Sequence, residues 1–357
     1  MSSSSLPQST AACSIITRNY LPAALAMYDK LCILEPKLSV FIYLVDSIST
    51  LQTQQKLDGN ITVLCRDQFS FSSLVDRISN YYTSFEQCNA LRPWAVSELF
   101  YQRHFQKVIY LDTDLLFLSS LDEAWRLLNE FACILSPHIL TPYFKTEYSP
   151  NELTLAHYGT YNSGFMGFSN VKEVQPILHF LCEKMLHFAF FAPPSVYGGQ
   201  ELLDLVASLF RRSVGILEHP GYNIAFWNAH ERHLELCNGR VFSNGLPAVF
   251  FHLSNYDWSY PKSLTGLPGL NSMVSSPALI RIIEEYRSAL LRAYGSSEKL
   301  PSKKQLSNEH LAKLRYRYFF KDLGTYESRF EHWLLDPVEF GALLMRQTNL
   351  LSQIGKG

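Results

Sequence analysis

The sequence contains no apolar run reaching the roughly 18 residues of a spanning helix, so an integral membrane protein is not expected. Glycine and proline are sparse, with 17 of each in 357 residues, which excludes collagen-like and low-complexity chains. Neither sign of charge prevails: 31 Lys and Arg stand against 32 Asp and Glu. A net charge of −1 offers no excess for phosphate neutralisation, and no nucleic-acid partner is expected. Cysteine occurs only at positions 13, 32, 65, 88, 133, 182 and 237, with no C-x-x-C pair. Odd in number and scattered, these residues fit reduced thiols in a cytoplasmic protein better than a disulfide framework or zinc ribbon. The opening MSSSSLPQST lacks a charged segment followed by an apolar one. No secretory signal is expected there, and residues 1–10 read as a disordered tail.

Apolar residues are plentiful at 47%, with only 18% charged, a balance that excludes disorder over most of the length. Aromatic rings are abundant: 24 Phe, 20 Tyr and 5 Trp. A chain of this length can bury a large core. Composition turns more basic and helical beyond Pro268, which divides the chain into an α/β domain over 11–272 and a helical C-terminal extension over 273–357.

Short β-rich runs alternate with helical spacing. Ser14–Thr17, Val40–Val45, Ile61–Leu64, Lys107–Leu111, Ala132–Ser136, Phe165–Phe168 and Val214–Leu217 read as strands. Tyr20–Leu34, Ala95–Arg103, 122–128, Val174–Phe188 and Glu201–Phe210 read as helices. Such alternation predicts a parallel sheet with crossovers. Ligands of such sheets bind outside the carboxyl ends of the strands, where Thr17, Asp46 and Asp112 fall. Tyr143–Tyr161 reads as a long irregular connection, and Asn244-Gly245 as a hairpin turn. Ser276, Pro277 and Gly295 have the pattern of a helix N-cap, first turn and C-terminal stop.

The sharpest local signal is Asp112-Thr113-Asp114, directly after the buried run KVIYL. Two carboxylates beside a core repel each other and call for a positive partner. A hard divalent cation meets that need and can share its coordination with substrate phosphates. D-x-D also serves as a surface turn with helix-capping aspartates. Haloacid dehalogenase-type phosphohydrolases share the pair too, but Leu116 stands where their motif wants Thr or Val.

In context, KVIYLDTDLLFLSSLDEAW resembles the D-x-D segment of GT-A glycosyltransferases, especially glycosyltransferase family 8 with its glycogenin and lipopolysaccharide galactosyltransferase members. YNSGFMGFS resembles that family's asparagine-glycine motif at Asn162 and Gly164, and GGQELLDL its Asp-Gln segment at Gln200. FFHLS resembles the segment whose histidine, here His252, completes the metal site. PHILTPY, HPGYNIAFWNAHER and FFHLSNYDW are similar to stretches of uncharacterised bacterial glycosyltransferases. The resemblance implies a GT-A, Rossmann-like mixed sheet flanked by helices. It further implies a Mn²⁺ or Mg²⁺ ion on Asp112, Asp114 and His252, and a UDP-sugar donor. Transfer would go to a hydroxyl acceptor, with retention of configuration. Thr17, Arg18, Asn19, Asp46, Arg92, Thr113, Asn162, Gly164 and Lys262 would contact donor or metal, and Gln200 would lie near the reacting carbon. Two departures stand out: Gly199 replaces an acidic residue that contacts donor-sugar hydroxyls, and Asn255 replaces a glycine after the histidine. A non-catalytic sugar- or nucleotide-binding relative is the alternative they leave open.

Other residues carry two readings each. His230 and His233 have metal-like spacing, but such histidines more often sit at surfaces or caps. His138 lies at a strand end, structural or functional. Asn223 and Asn228 are acceptor contacts or turn residues, turns being the commoner use of Asn. Tyr161, Phe226, Trp227, Tyr256 and Trp258 are candidates to line a sugar groove. The run KLRYRYFFK (Lys313–Lys321) reads as an amphipathic helix or a contact to an anionic surface.

Overall fold

The computed structural model describes residues 9–48, 60–79, 82–143, 151–192, 196–257, 263–265 and 276–295. Trp258, Lys262, Lys313–Lys321 and most of the two terminal segments expected from sequence lie outside these residues.

The first half alternates strongly. Strand β1 (Thr10–Ile16) leads through a 3-10 turn at Arg18–Tyr20 into helix α1 (Leu21–Leu34), with proline in its first turn. Strands β2 (Ser39–Leu44) and β3 (Ile61–Cys65) follow, then helices α2 (Ser72–Ser79) and α3 (Ser84–Tyr101). Next come β4 (Lys107–Leu111), β5 (Leu115–Phe117), α4 (Asp122–Leu127) and β6 (Cys133–Pro137).

The second half holds α5 (Glu152–Tyr158), β7 (Tyr161–Ser169) and α6 (Val174–Phe188). Then come the short strands β8 (Phe191–Ala192) and β9 (Val196–Tyr197), followed by α7 (Leu202–Leu209) and β10 (Val214–Ile216). A small meander of β11 (Leu234–Cys237), β12 (Arg240–Ser243) and β13 (Leu246–Pro247) precedes β14 (Phe250–His252) and α8 (Pro277–Tyr294). Asn244 and Gly245 both have positive φ, 52° and 78°, as the two central residues of a tight hairpin turn require.

Seven strands form one mixed sheet in the order β10-β6-β7-β4-β1-β2-β3. Successive residues of β1 face opposite sides. Cys13 and Ile15 join one core with Leu91, Ala95 and Leu99 of α3 and Leu181 of α6. Ala12 and Ile16 join another with Met27, Tyr28 and Leu31 of α1. Burial on both faces explains why these strands read as continuous apolar runs rather than alternating ones.

The parallel sheet expected from alternation needs one correction. Strand β7 runs antiparallel to both neighbours, β4 and β6. Its ladder with β6 shifts between Leu135 and Ser136, which pair with Met166 and Asn162, so Ser163–Phe165 bulge away from β6. Bulges of this kind re-aim side chains beside sites.

Helix α3 also starts well before Ala95. A capping box, Thr83 with Glu86, sets its N-terminus at Ser84, and Pro93 lies inside it rather than at its start. The expected irregular connection at Tyr143–Tyr161 contains α5, capped by Asn151 accepting from the Thr154 N–H at 2.9 Å.

Helix α8, in the segment that composition sets apart, shares a core with residues of α1 and β14. Ile282, Ile283, Tyr286 and Leu290 of α8 pack with Ala23, Phe251 and Leu253, and Lys30 of α1 pairs with Glu285 at 3.1 Å. Gly295 ends α8 with φ 76°, the left-handed conformation glycine adopts without penalty. All seven cysteines are free thiols. Among the described residues no helix is long and apolar enough to cross a membrane.

Candidate active site

Asp112 follows β4, and its N–H donates to the Gly164 carbonyl of β7 at 2.8 Å. The antiparallel β4–β7 register thereby places the asparagine-glycine motif beside the first aspartate. Strand β14 pairs antiparallel with β5, His252 opposite Leu115, and the Leu253 N–H donates to the Asp114 carbonyl at 2.9 Å. That pairing carries His252 to the second aspartate. Asp112, Asp114 and His252 each offer a ligand atom, all within 4.8 Å of one another.

Asp112 is held by protein partners. The buried Arg92 of α3 donates from one terminal nitrogen to both Asp112 oxygens, at 3.0 and 3.2 Å, and from Nε to the Tyr110 hydroxyl at 3.1 Å. Tyr110 in turn donates to Asp112 Oδ1 at 3.0 Å. A guanidinium so placed fixes the carboxylate in one orientation. Asp114 Oδ1 stands 3.1 Å from His252 Nε2, yet it is buried and makes no hydrogen bond. A buried carboxylate oxygen facing an imidazole nitrogen without a hydrogen bond suits two ligands of one cation. Gly164 completes the cradle, because a Cβ there would lie 2.8 Å from Asn162 Oδ1 and 2.9 Å from Asp112 Oδ2 and His252 Cε1.

Burial opposes the imidazolium form of His252, but the Asp114 carboxylate outweighs it and lifts the pKa above the usual histidine value. Burial likewise opposes ionisation of Asp114, and His252 outweighs it, so the carboxyl sits below its usual range.

Asn162 is buried and uses both ends of its amide internally. Its Nδ2 donates to His138 Nε2 at 3.2 Å, and its Oδ1 accepts from the Gly164 N–H at 2.8 Å. Gln200 is similarly engaged: Oε1 accepts from the Ser163 N–H at 2.9 Å and the Ser163 hydroxyl at 3.1 Å, while Nε2 donates to the Tyr158 carbonyl at 2.8 Å. The Ser163 hydroxyl also accepts from Arg92. Gln200 is thus tied through Ser163 and Arg92 to Asp112, a connection the motif pattern did not reveal. Gly198 and Gly199 have φ of 75° and 82°. At Gly199 a Cβ would meet only ordinary contacts near 3.6 Å, so the glycine answers to backbone conformation rather than to lack of space.

Thr17 lies at the exposed rim after β1, followed by Arg18 and Asn19. The Arg18 N–H donates to Asp46 Oδ1 at 2.8 Å, joining the ends of β1 and β2. Thr113 is half-buried between the aspartates. Tyr20 was missed in the sequence, where it reads only as the start of α1. It is 42% exposed and near enough to Asp114 for that charge to help burial raise its hydroxyl pKa.

Several other candidates are engaged by groups within the protein. Asn223 and Asn228 have no exposed surface, so neither contacts an acceptor from this conformation. His230 bonds the Thr141 carbonyl and His233 pairs with Glu235, and neither joins the acidic pair. Trp227 is buried with its ring edge-on to both His138 and His252, at 5.4 and 5.1 Å. Tyr256 packs on Tyr286 of α8. His138 is buried, and burial holds its pKa down at about 4. A group whose folded pKa is depressed stabilises the fold above its unfolded pKa and loses that contribution as pH falls through the folded value. Stability should therefore decline between pH 6.5 and 4, by about 3 kcal/mol. Urea denaturation of wild type and His138→Gln across that range checks this, the variant being expected to show a shallower decline.

No family model matches the chain. A 150-residue stretch is 25% identical to the uncharacterised protein YfnD of Bacillus subtilis (strain 168), covering 41% of this chain and 46% of that protein. The match therefore spans less than half the relative's length. Solved structures similar in shape include several glycosyltransferases. The galactosyltransferase LgtC, solved with donor and acceptor sugar analogues, is 12% identical with a TM-score of 0.47, covering 85% of this chain and 99% of its own. The apo form of GlyE from Streptococcus pneumoniae TIGR4 is 17% identical with a TM-score of 0.43, over 83% of this chain and 66% of its own. A glycosyltransferase involved in glycosylation of the PBCV-1 major capsid is 9% identical with a TM-score of 0.41, over 69% and 94%.

Proposed function

We propose that this chain is a metal-dependent glycosyltransferase that moves a sugar from a UDP-sugar donor to a hydroxyl acceptor, with retention of anomeric configuration. The observation that carries the reading is the convergence of Asp112, Asp114 and His252, with ligand atoms within 4.8 Å, at the carboxyl edge of the sheet. Two carboxylates and an imidazole suit Mn²⁺ and, somewhat less well, Mg²⁺. Asp112, Asp114 and His252 would hold the cation, which would supply Lewis-acid stabilisation of the departing nucleoside diphosphate. Arg92 keeps Asp112 aimed at the cation and offsets part of the local negative charge. Thr17, Arg18, Asn19 and Asp46 form the rim that receives the nucleotide, and the half-exposed ring of Tyr20 offers a flat face for its base. Asn162 and Gly164 shape the floor. Gln200 stands beside the reacting carbon in this reading, and Lys262 contacts the pyrophosphate.

A phosphohydrolase needs an unencumbered aspartate nucleophile. Asp112 is instead clamped by Arg92 and Tyr110, which favours a ligand over a nucleophile.

The reading is tested by a thermal-shift panel of nucleotide sugars with and without Mn²⁺, followed by assay of UDP release. Ligand at 100 times its Kd stabilises by about 2.7 kcal/mol, so the correct donor with Mn²⁺ should raise Tm by several degrees. Neither ligand alone should match that shift. The proposal fails if no common nucleotide sugar shifts Tm and no UDP forms. A shift without UDP formation would point to a sugar-nucleotide-binding protein.

A further inference from the structure

The orientation of His252 is decided by a residue that lies in none of the motifs carrying the metal site. Asn223 has no exposed surface and sits in the left-handed region with φ 51°, which asparagine tolerates better than other residues with a Cβ. It reaches His252 because the segment after it runs alongside β14. Ile224 bridges Phe251 in parallel, and the His252 N–H donates to the Ile224 carbonyl at 2.8 Å. Asn228 anchors the turn by donating to the carbonyls of Asn223 and His138, at 2.8 and 2.9 Å.

The Asn223 side chain has one sensible orientation. Its Nδ2 donates to the Pro137 carbonyl at 3.1 Å, and the flipped amide would set oxygen against oxygen. Oδ1 is therefore turned to His252 Nδ1, 3.1 Å away. Because that oxygen only accepts, Nδ1 must carry a proton. In the neutral ring the lone pair then belongs to Nε2, the nitrogen 3.1 Å from Asp114 Oδ1. Trp227, edge-on to the same ring at 5.1 Å, limits its tilt.

We infer that Asn223 is a positioning residue which sets the tautomer of His252 and presents its Nε2 as a ligand, anchored for that purpose on the end of β6. The inference rests on the metal-dependent reading of the site. Partners of this kind, bonded to the far nitrogen of a ligating histidine, typically govern metal affinity by ~10–100-fold.

The test measures Mn²⁺ binding to the full chain by calorimetry, without nucleotide, in wild type, Asn223→Gly, Asn223→Asp and Asp114→Asn. Glycine adopts the left-handed backbone freely, so Asn223→Gly removes the carboxamide without adding strain. Aspartate keeps an acceptor for Nδ1–H but cannot donate to Pro137. Asn223→Gly should bind Mn²⁺ ~10–100-fold more weakly, and Asn223→Asp should recover most of the loss. Equal weakening in both variants would show that the Pro137 bond, a structural role, is what matters, and would overturn the inference. So would wild-type affinity in Asn223→Gly while Asp114→Asn is impaired. If wild type itself binds no Mn²⁺, the metal-dependent reading falls and takes this inference with it.

Discussion

Replacing Asp114 with asparagine should lower UDP release from the donor by on the order of 10³-fold at saturating Mn²⁺, while Tm moves by only a few degrees. Losing one group that stabilises developing charge typically costs ~10²–10³-fold, and in the proposed reading a charge-bearing ligand is lost as well. Asparagine matches aspartate in shape but carries no charge, and its amide nitrogen cannot ligate. Asp114 Oδ1 faces His252 Nε2 at 3.1 Å, so the fold loses at most that one pairing. Steady-state kinetics beside a thermal melt separates the two effects. Activity within tenfold of wild type would remove Asp114 from the metal site, and an unfolded variant would make it structural instead.

Gly164→Ala should be nearly as damaging, for a steric reason. The added methyl would lie 2.8–2.9 Å from Asn162 Oδ1, Asp112 Oδ2 and His252 Cε1, closer than real Cβ contacts allow. None of these atoms can retreat freely. Asp112 is clamped by Arg92 and Tyr110, Asn162 by the Gly164 N–H and His138, and His252 by Asn223. The methyl must therefore push these groups apart or, in the proposed reading, fill the place of the cation. Mn²⁺ affinity should fall by ~10–100-fold, and overpacking should cost about 1–3 kcal/mol of stability. Calorimetry with Mn²⁺ and urea denaturation measure the two. Unchanged affinity would mean that the three groups do not close around one ion.

Features written in local order were legible from the residues. Helix α6 spans Val174–Phe188 as its periodicity predicts, and α8 begins after Ser276 and stops at Gly295. The strand before Asp112 announces itself as an unbroken apolar run. Errors arose where a local signal was overridden. The third helix was expected only from Ala95, yet α3 runs through Pro93 from a capping box at Thr83 and Glu86. The reversed direction of β7 has no signature within YNSGFMGFS, because a strand buried on both faces looks alike whichever way it runs.

By itself the sequence determined the alternation of strands and helices, the apolar faces that build the two cores, and the chemistry available at Asp112, Asp114 and His252. Those properties follow from side-chain type and short-range spacing. Only the tertiary structure decided that Arg92 serves Asp112, that Gln200 is tied to Arg92 through Ser163, and that Asn223 faces His252. Each of these contacts joins elements far apart in the chain, and each depends on strand register, a β-bulge or a left-handed turn. Hydrogen bonds between distant residues are set by where the packed sheet brings them, which no local pattern encodes.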